Sequence, residues 1–437
     1  MNADASARLQ PHARIAIVGG GPAGSFFALA AFQIAARLDL PIAITIFERK
    51  DLSAPGPRGC NMCAGILSSR TVHGLDTLNL ALPPDVVMGR INVYTLHWND
   101  QHIPIDPPDA TRQVLSVYRS GGPRHSPFAP VAGFDQFLLD QARARGAQVL
   151  HERVEKISFA SQPRVTTSAR AEAFDLVVLA IGVNALPPAF GNLTYHPPIT
   201  ETMAQDELVI EQLPRAEMNS AVHIFFDQPR DLLFGALIPK GHFVNVSLLG
   251  TRLDRASVQQ FLTDPQVARV IGQHPPQACG CQPRIAAAPA QNFFADRFVA
   301  IGDACVTRLY KDGIGSALIT ARAAAETALT RGIHRAAFAA HYAPVCRAIA
   351  RDNRLGRAVF ALTGASRRSP LLMRTLARAL AAEAQQAPRD RLTSQVLWSL
   401  FTGDADYSEI FKMMLHPQRI ARLSLAMLQE IMRKKTK

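Results

Sequence analysis

The stretch Arg14-Ile-Ala-Ile-Val-Gly-Gly-Gly-Pro-Ala-Gly24 decides how this 437-residue chain folds. Residues 15–18 are a short, wholly apolar run, which predicts a strand buried in a parallel sheet. Gly19 supplies a tight turn, Gly21 lets backbone N–H groups approach a pyrophosphate, and Gly24 lets the next helix pack close to the strand. A helix is expected over residues 22–38. It opens on Pro22 and Ala23, and its positive N-terminal end faces the phosphates. A second strand over 42–47 ends at Glu48, where an acid accepts hydrogen bonds from a ribose; Arg49 beside it joins the candidate contacts. The acidic end favours an unphosphorylated ribose, as in FAD or NAD.

A downstream motif separates those two cofactors. Phe298-Val-Ala-Ile-Gly-Asp-Ala304 reads as a late strand that carries Gly302 and Asp303 to its end, and Asp312-Gly-Ile-Gly315 opens an Ala-rich helix over 313–328. Asp303 is the expected ligand of a ribityl chain. Gly313, Ile314 and Gly315 form the helix start that points at a flavin, so the cofactor expected is FAD. A third strand, within Phe174-Asp-Leu-Val-Val-Leu-Ala-Ile-Gly182, returns the chain to the dinucleotide at Gly182.

On these motifs the chain resembles the FAD superfamily of p-hydroxybenzoate hydroxylase and the geranylgeranyl reductases, and the reductases more closely. Cys63-Ala-Gly65 is similar to the reductases' Cys-Gly-Gly segment, which implies a place beside the isoalloxazine ring. Leu233-Phe-Gly-Ala-Leu-Ile-Pro-Lys-Gly241 with Val244-Asn-Val246 resembles the strands over their substrate cavity, and Phe134-Asp135 and Gly146-Ala147 resemble a further segment. The likeness spans residues 14–330. The chain departs from it at Ala180-Ile-Gly-Val-Asn184, where the superfamily carries Ala-Asp-Gly-x-x-Ser. It departs again at Arg308-Leu-Tyr-Lys-Asp-Gly-Ile-Gly315, which lacks the usual Pro, and in the missing Tyr and Trp of the substrate strand.

The fold expected is α/β: a Rossmann-type FAD-binding domain with an inserted antiparallel β-sheet substrate domain and a helical C-terminal region. The parts are 14–185 and 286–335 for the FAD-binding domain, 186–285 for the substrate sheet (strands near 221–226, 232–238 and 243–249) and 336–437 for the helical region. Pro-rich stretches at 104–108, 187–188 and 275–276 read as connections. A charged fraction of 19% against 48% hydrophobic residues describes a folded chain. No apolar run is long enough to cross a bilayer, and residues 1–13 lack the apolar stretch of a signal peptide, so a cytoplasmic place is expected.

The excess charge is local. Residues 331–437 hold 19 Lys and Arg against 7 Asp and Glu, which equals the net +12 of the whole chain. Helices are expected there over 336–362, 370–386, 393–401 and 418–435. The last combines Ile420, Leu423, Leu425, Leu428, Ile431 and Met432 with a basic tail. It reads either as an amphipathic helix on an anionic inner-membrane surface or as part of a helical cap. Few aromatics lie among these arginines, so nucleic acid is not an expected partner.

Cys60-Asn-Met-Cys63 and Cys279-Gly-Cys281 offer four thiols. The readings open to them are an iron–sulfur cluster or zinc on Cys60, Cys63, Cys279 and Cys281, a redox dithiol, or four unlinked thiols. Arg58 and Arg119, each near a Gly, are candidates for FAD phosphates or a substrate anion. Arg308, Tyr310 and Lys311 fall in the loop before the Gly313 helix. Tyr310 and Cys63 are the candidate catalytic acids. The activity expected is FAD-dependent reduction of a carbon–carbon double bond in a hydrophobic, prenyl-like substrate, with NAD(P)H or a ferredoxin-like protein as electron donor. The alternatives are a flavin monooxygenase and an electron-transfer flavoprotein coupled to membrane quinone.

Overall fold

Ile15, Ala16 and Ile17 have no solvent exposure, as the apolar run requires. In the computed structural model, which describes residues 8–99, 101–210, 220–226, 232–272 and 276–435, they lie in the strand Ala13–Val18. That strand is central in a six-stranded sheet ordered 294–295, 298–300, 176–179, 13–18, 42–47, 148–150. The five inner pairings are parallel except that of the edge strand Phe294–Ala295. The helices Pro22–Arg37, Phe134–Ala144 and Gly313–Glu326 cover it. This is the doubly wound arrangement that the glycine turn predicts: the far-apart strands Ile42–Phe47, Leu176–Leu179 and Phe298–Ala300 share one sheet, and Glu48, Ala180 and Asp303 beyond their ends line one cavity.

A seven-stranded sheet stands beside it, ordered 284–286, 200–209, 243–250, 232–240, 221–225, 93–98, 101–105. Its neighbours are antiparallel apart from Ala221–Phe225 on Val93–Trp98. The sheet therefore reaches outside the 186–285 span expected for it, because the strands Val93–Trp98 and Gln101–Ile105 come from the segment assigned to the dinucleotide domain. Alternation sorts its two faces. Val222, Ile224, Ala236 and Ile238 face one way, towards Trp398 and Phe401. Phe225, Leu237, Val246 and Leu248 face the other, against Val258, Phe261 and Val267 of the short helices Arg255–Leu262 and Pro265–Ile271.

The C-terminal quarter is helical, as its composition suggests. Its helices are Ala343–Arg367, Pro370–Glu383, Leu392–Thr402, Tyr407–Met414 and Pro417–Lys435. Tyr407–Met414 is not among the expected helices. It is only eight residues long, and a capping box of Asp406 and Glu409 starts it. Trp398 is fully buried and meets Tyr94 edge-to-face at 5.4 Å, which fastens the helical quarter to the strand Val93–Trp98 of the large sheet. Residue 275 of the Pro-rich connection at 275–276, the first seven residues and the last two lie outside the described residues, as do the side chains of Lys434 and Lys435.

Candidate functional site: a cavity from the dinucleotide fold to the helical roof

The glycine loop is built as its spacing demands. Gly19 has φ +109°, and a Cβ there would stand 2.5 Å from the Ala180 carbonyl oxygen. A Cβ on Gly24 would lie 2.0 Å from the Gly19 carbonyl oxygen, so only glycine lets the helix start this close to the turn. Gly21 is different: a Cβ on it would project into open space, 3.8–3.9 Å from Asn61, Asp135 and Arg119, where a pyrophosphate would rest. The Glu48 carboxylate accepts hydrogen bonds from the Gly20 and Lys50 amides, both 2.8 Å, which fixes it at the end of its strand with lone pairs left for a ribose.

Arg119 is held rather than free. Its guanidinium grips the fully buried Asp135 carboxylate through two nitrogens, one at 2.8 Å. Asp135 also accepts from Asn61 Nδ2 at 2.7 Å. Burial works against the guanidinium's charge, yet Asp135 and the Cys63 thiol raise its pKa above the ordinary value. Arg119 is a fixed positive wall beside the glycine loop.

Asp303 follows the strand Phe298–Ala300 and its carboxyl faces the cavity. Burial pushes that carboxyl up, opposed by Thr307 and Arg119. The Gly313–Glu326 helix begins beside it with no side chain capping its N-terminus, so the first amide groups remain free for a ligand. Asp312, at φ +50°, turns its carboxylate away to accept from Ser68 Oγ at 2.9 Å and Thr71 Oγ1 at 2.7 Å. This bends the chain so that Gly313 and Ile314 border the cavity.

The cavity, about 460 Å³, is continuous. It runs from Gly21 and Glu48 past Asp303 and Gly313 into an apolar chamber. One wall of that chamber is the sheet face bearing Val222, Ile224, Phe226, Phe234, Ala236 and Ile238, and its roof is Phe360, Leu400 and Phe401. The roof also braces the loop from 305 to 312. Asn353 accepts from the Leu309 amide at 2.9 Å and donates to the Thr307 carbonyl at 2.9 Å. The Arg308 guanidinium donates to the Gly403 and Ala405 carbonyls and lies 4.7 Å over the Tyr407 ring. Tyr407 Oη donates to the Leu309 carbonyl.

Gly19, Gly21, Pro22, Ala23, Glu48 and Arg49 line the cavity, as do Arg119, Gly182, Asp303, Gly313 and Ile314. Gly24, Gly302 and Gly315 do not. They sit behind the wall where a Cβ would strike, in order, Gly19, Ala23 and Asp312, so their part is close packing rather than ligand contact. Arg58 is outside the cavity, in a turn at Gly56–Arg58. Cys63 and Tyr310 both line it. The Tyr310 hydroxyl donates to Glu201 at 2.8 Å, and burial and Glu201 raise its pKa.

The metal expectation is corrected. Among the described residues no group of three or more His, Cys, Asp or Glu side chains could hold a metal ion. Cys63 is turned to the Gly65 amide and Arg119 on the cavity wall, whereas Cys279 and Cys281 lie on a segment paired with Glu207 and Gln205. Burial pushes the Cys60, Cys279 and Cys281 thiols above their ordinary pKa.

Sequence reasoning passed over Lys240. This nearly inaccessible lysine reaches the Glu207 carboxylate at 3.4 Å and the Cys63 carbonyl at 3.5 Å, and so supports the Cys63–Gly65 loop from beneath. Sequence reasoning offered a helical cap in the C-terminal quarter without naming Phe360, Leu400 and Phe401, whose apolar character reads equally well as core.

No protein-family model and no curated protein sequence matches the chain. Solved structures do. A geranylgeranyl bacteriochlorophyll reductase-like protein from Thermoplasma acidophilum superposes with TM-score 0.61 at 12% identity, covering 95% of this chain and 100% of that one. p-Nitrophenol 4-monooxygenase PnpA from Pseudomonas putida gives 0.56 at 14% identity over 95% and 98%. A variant of halogenase PltM in complex with FAD gives 0.59 at 13% identity over 92% and 95%. The chain is a mixed α/β protein with the fold of flavin-dependent enzymes, one that reductase-like proteins, monooxygenases and halogenases share.

Proposed function

We propose that this protein is an FAD-dependent oxidoreductase that reduces a carbon–carbon double bond of a hydrophobic substrate. The observation that carries the reading is the single cavity, with a glycine turn and two acids suited to a dinucleotide at one end and an aromatic-lined chamber at the other. The residues present fit FAD: Gly21 leaves room for the pyrophosphate, Glu48 suits the adenosine ribose, Asp303 suits the ribityl chain, and the Gly313 helix start suits the ring system. When bound, the flavin supplies hydride at N5. The chain's own part is to hold the substrate against that end, exclude water with Phe234, Phe360 and Phe401, and supply a proton. Cys63 borders the cavity beside Arg119, where it would flank the ring.

The test is anaerobic. Protein reconstituted with FAD and reduced with dithionite is mixed with geranylgeraniol in detergent, and the product is weighed by mass spectrometry. The expected product has gained two hydrogens. A product that has gained one oxygen atom, formed only in air with NAD(P)H present, would replace this reading with a monooxygenase.

The substrate class suggests a lipid surface as its source, and one face of the molecule suits such a surface. In the Pro417–Lys435 helix, Ile420, Leu425, Leu428, Ile431 and Met432 are exposed together. At 100° per residue they fall within one stripe that meets a charged residue only at Lys435, the helix end. The opposite side is spent on the protein, with Arg378 paired to Glu430 at 2.8 Å and Ala426 buried. Among the described residues no helix is long and apolar enough to cross a membrane. A peripheral contact with anionic lipid, supported by the +12 charge of residues 331–437, is the proposed role of this face.

A further inference from the structure

Reduction of an alkene needs a proton as well as a hydride, and the chamber's polar side chains differ in what they can give. The Tyr310 proton is committed to Glu201. Arg308 is fastened to the Gly403 and Ala405 carbonyls, and a guanidinium does not give up its proton. The Cys63 sulfur accepts from the Gly65 amide and from Arg119, which borders the glycine turn. Lys311 is the exception. It lines the chamber, and its Nζ lies 4.6 Å from the centre of the Phe234 ring. Among the described residues that Nζ has no carboxylate partner and no hydrogen bond.

We infer that Lys311 is the proton donor of this site, delivering H⁺ from its ammonium group to one carbon of the substrate double bond while the other carbon receives hydride. This rests on the reductase reading and deepens it. The balance is complete: the π bond breaks, two C–H bonds form, the reduced cofactor gives up two electrons with one hydrogen, and Lys311 is left as a neutral amine. Solvent then reprotonates the amine.

The surroundings suit the task. Phe234 from the sheet and Phe360 from the Ala343–Arg367 helix make the chamber apolar, which disfavours the charged form of an amine. Burial, with Arg308 adding to it, brings Lys311 down to about 8, so that it holds a proton near neutrality and releases it readily. The neighbouring charged groups do not cancel this. Asp312 directs its carboxylate to Ser68 and Thr71, and Glu201 is engaged by Tyr310. The loop carrying Lys311 is clamped by Asn353 and Tyr407, so its backbone is placed rather than loose.

The experiment compares wild type, Lys311→Met and Lys311→Arg, each loaded with FAD and reduced without air. Reoxidation of the flavin by geranylgeraniol is followed across pH, with FAD affinity measured alongside. Both variants are expected to bind FAD as wild type does and to reoxidise about 10²–10⁴-fold more slowly. The arginine variant fails because it keeps charge without an available proton. Competitive acetylation, read lysine by lysine, is expected to show Lys311 titrating near 8 and protected when the chamber is filled. An active wild type with an equally active methionine variant overturns the assignment of Lys311 alone. A wild type inert towards double bonds overturns the reductase reading and the assignment with it. Full rescue by arginine would make Lys311 a positioning charge and overturn its role as donor.

Discussion

The dinucleotide end and the roofed end of the cavity obey different rules. At the first, function lies in the backbone. A Cβ on Gly19 or Gly24 would strike backbone, Gly21 borders the open cavity, and Glu48 and Asp303, each just past a strand end, line the same cavity. At the second, function lies in shape. Phe226, Phe234, Phe360 and Phe401 need only be apolar and of the right size, and many sequences meet that condition. A rigid, charged ligand leaves a spaced signature in a chain; a flexible, apolar one leaves only composition.

The contrast can be broken most forcefully at Trp398. It lies inside the helical quarter, does not line the cavity, and its indole donates to Asp404 at 3.2 Å. Trp398→Ala should cost about 3–5 kcal/mol in urea unfolding, while the folded fraction still binds FAD with wild-type affinity. Loss of FAD binding in protein that remains folded would show that the two ends are not separable.

Asp303 tests the other end. Asp303→Asn keeps the shape and removes the charge, and should weaken FAD binding about ten- to a hundredfold by titration with little change in folding stability. An unchanged affinity would mean that the ribityl chain does not reach this carboxyl.

The smallest expected effect concerns the exposed face of the last helix. Leu425→Glu with Leu428→Glu should lower sedimentation with anionic vesicles about tenfold or more, since each leucine contributes about 1.5–3 kcal/mol when buried. Thermal stability should not fall, because both side chains are more than half exposed in the free protein, at 57% and 58%. Undiminished binding would return this helix to the role of a plain cap.

Much of the first end was legible. The strand Ile42–Phe47 and the helix from Pro22 match their expected spans to within a residue, because parallel-sheet burial and the tight packing at Gly19 and Gly24 both constrain local sequence. The strands Val93–Trp98 and Gln101–Ile105 look no different from any other hairpin. Their place in the large sheet depends on Ala221–Phe225, a partner far along the chain, so nothing local announces it. The cysteine spacing suggested a ligand set, but the fold puts Cys63 on the cavity wall and Cys279 and Cys281 on a half-buried segment outside it. Tyr310 was preferred to Lys311 on chemistry alone; only packing shows that one is already bonded to Glu201 and the other is not.

Both ends of the cavity can act together only if that one cavity holds the flavin. The most direct test is calorimetric titration of cofactor-free protein with FAD and, separately, with NAD. A single FAD site, with NAD failing to compete, is the result this structure predicts. Binding of NAD in preference to FAD, or no binding of either, would contradict it.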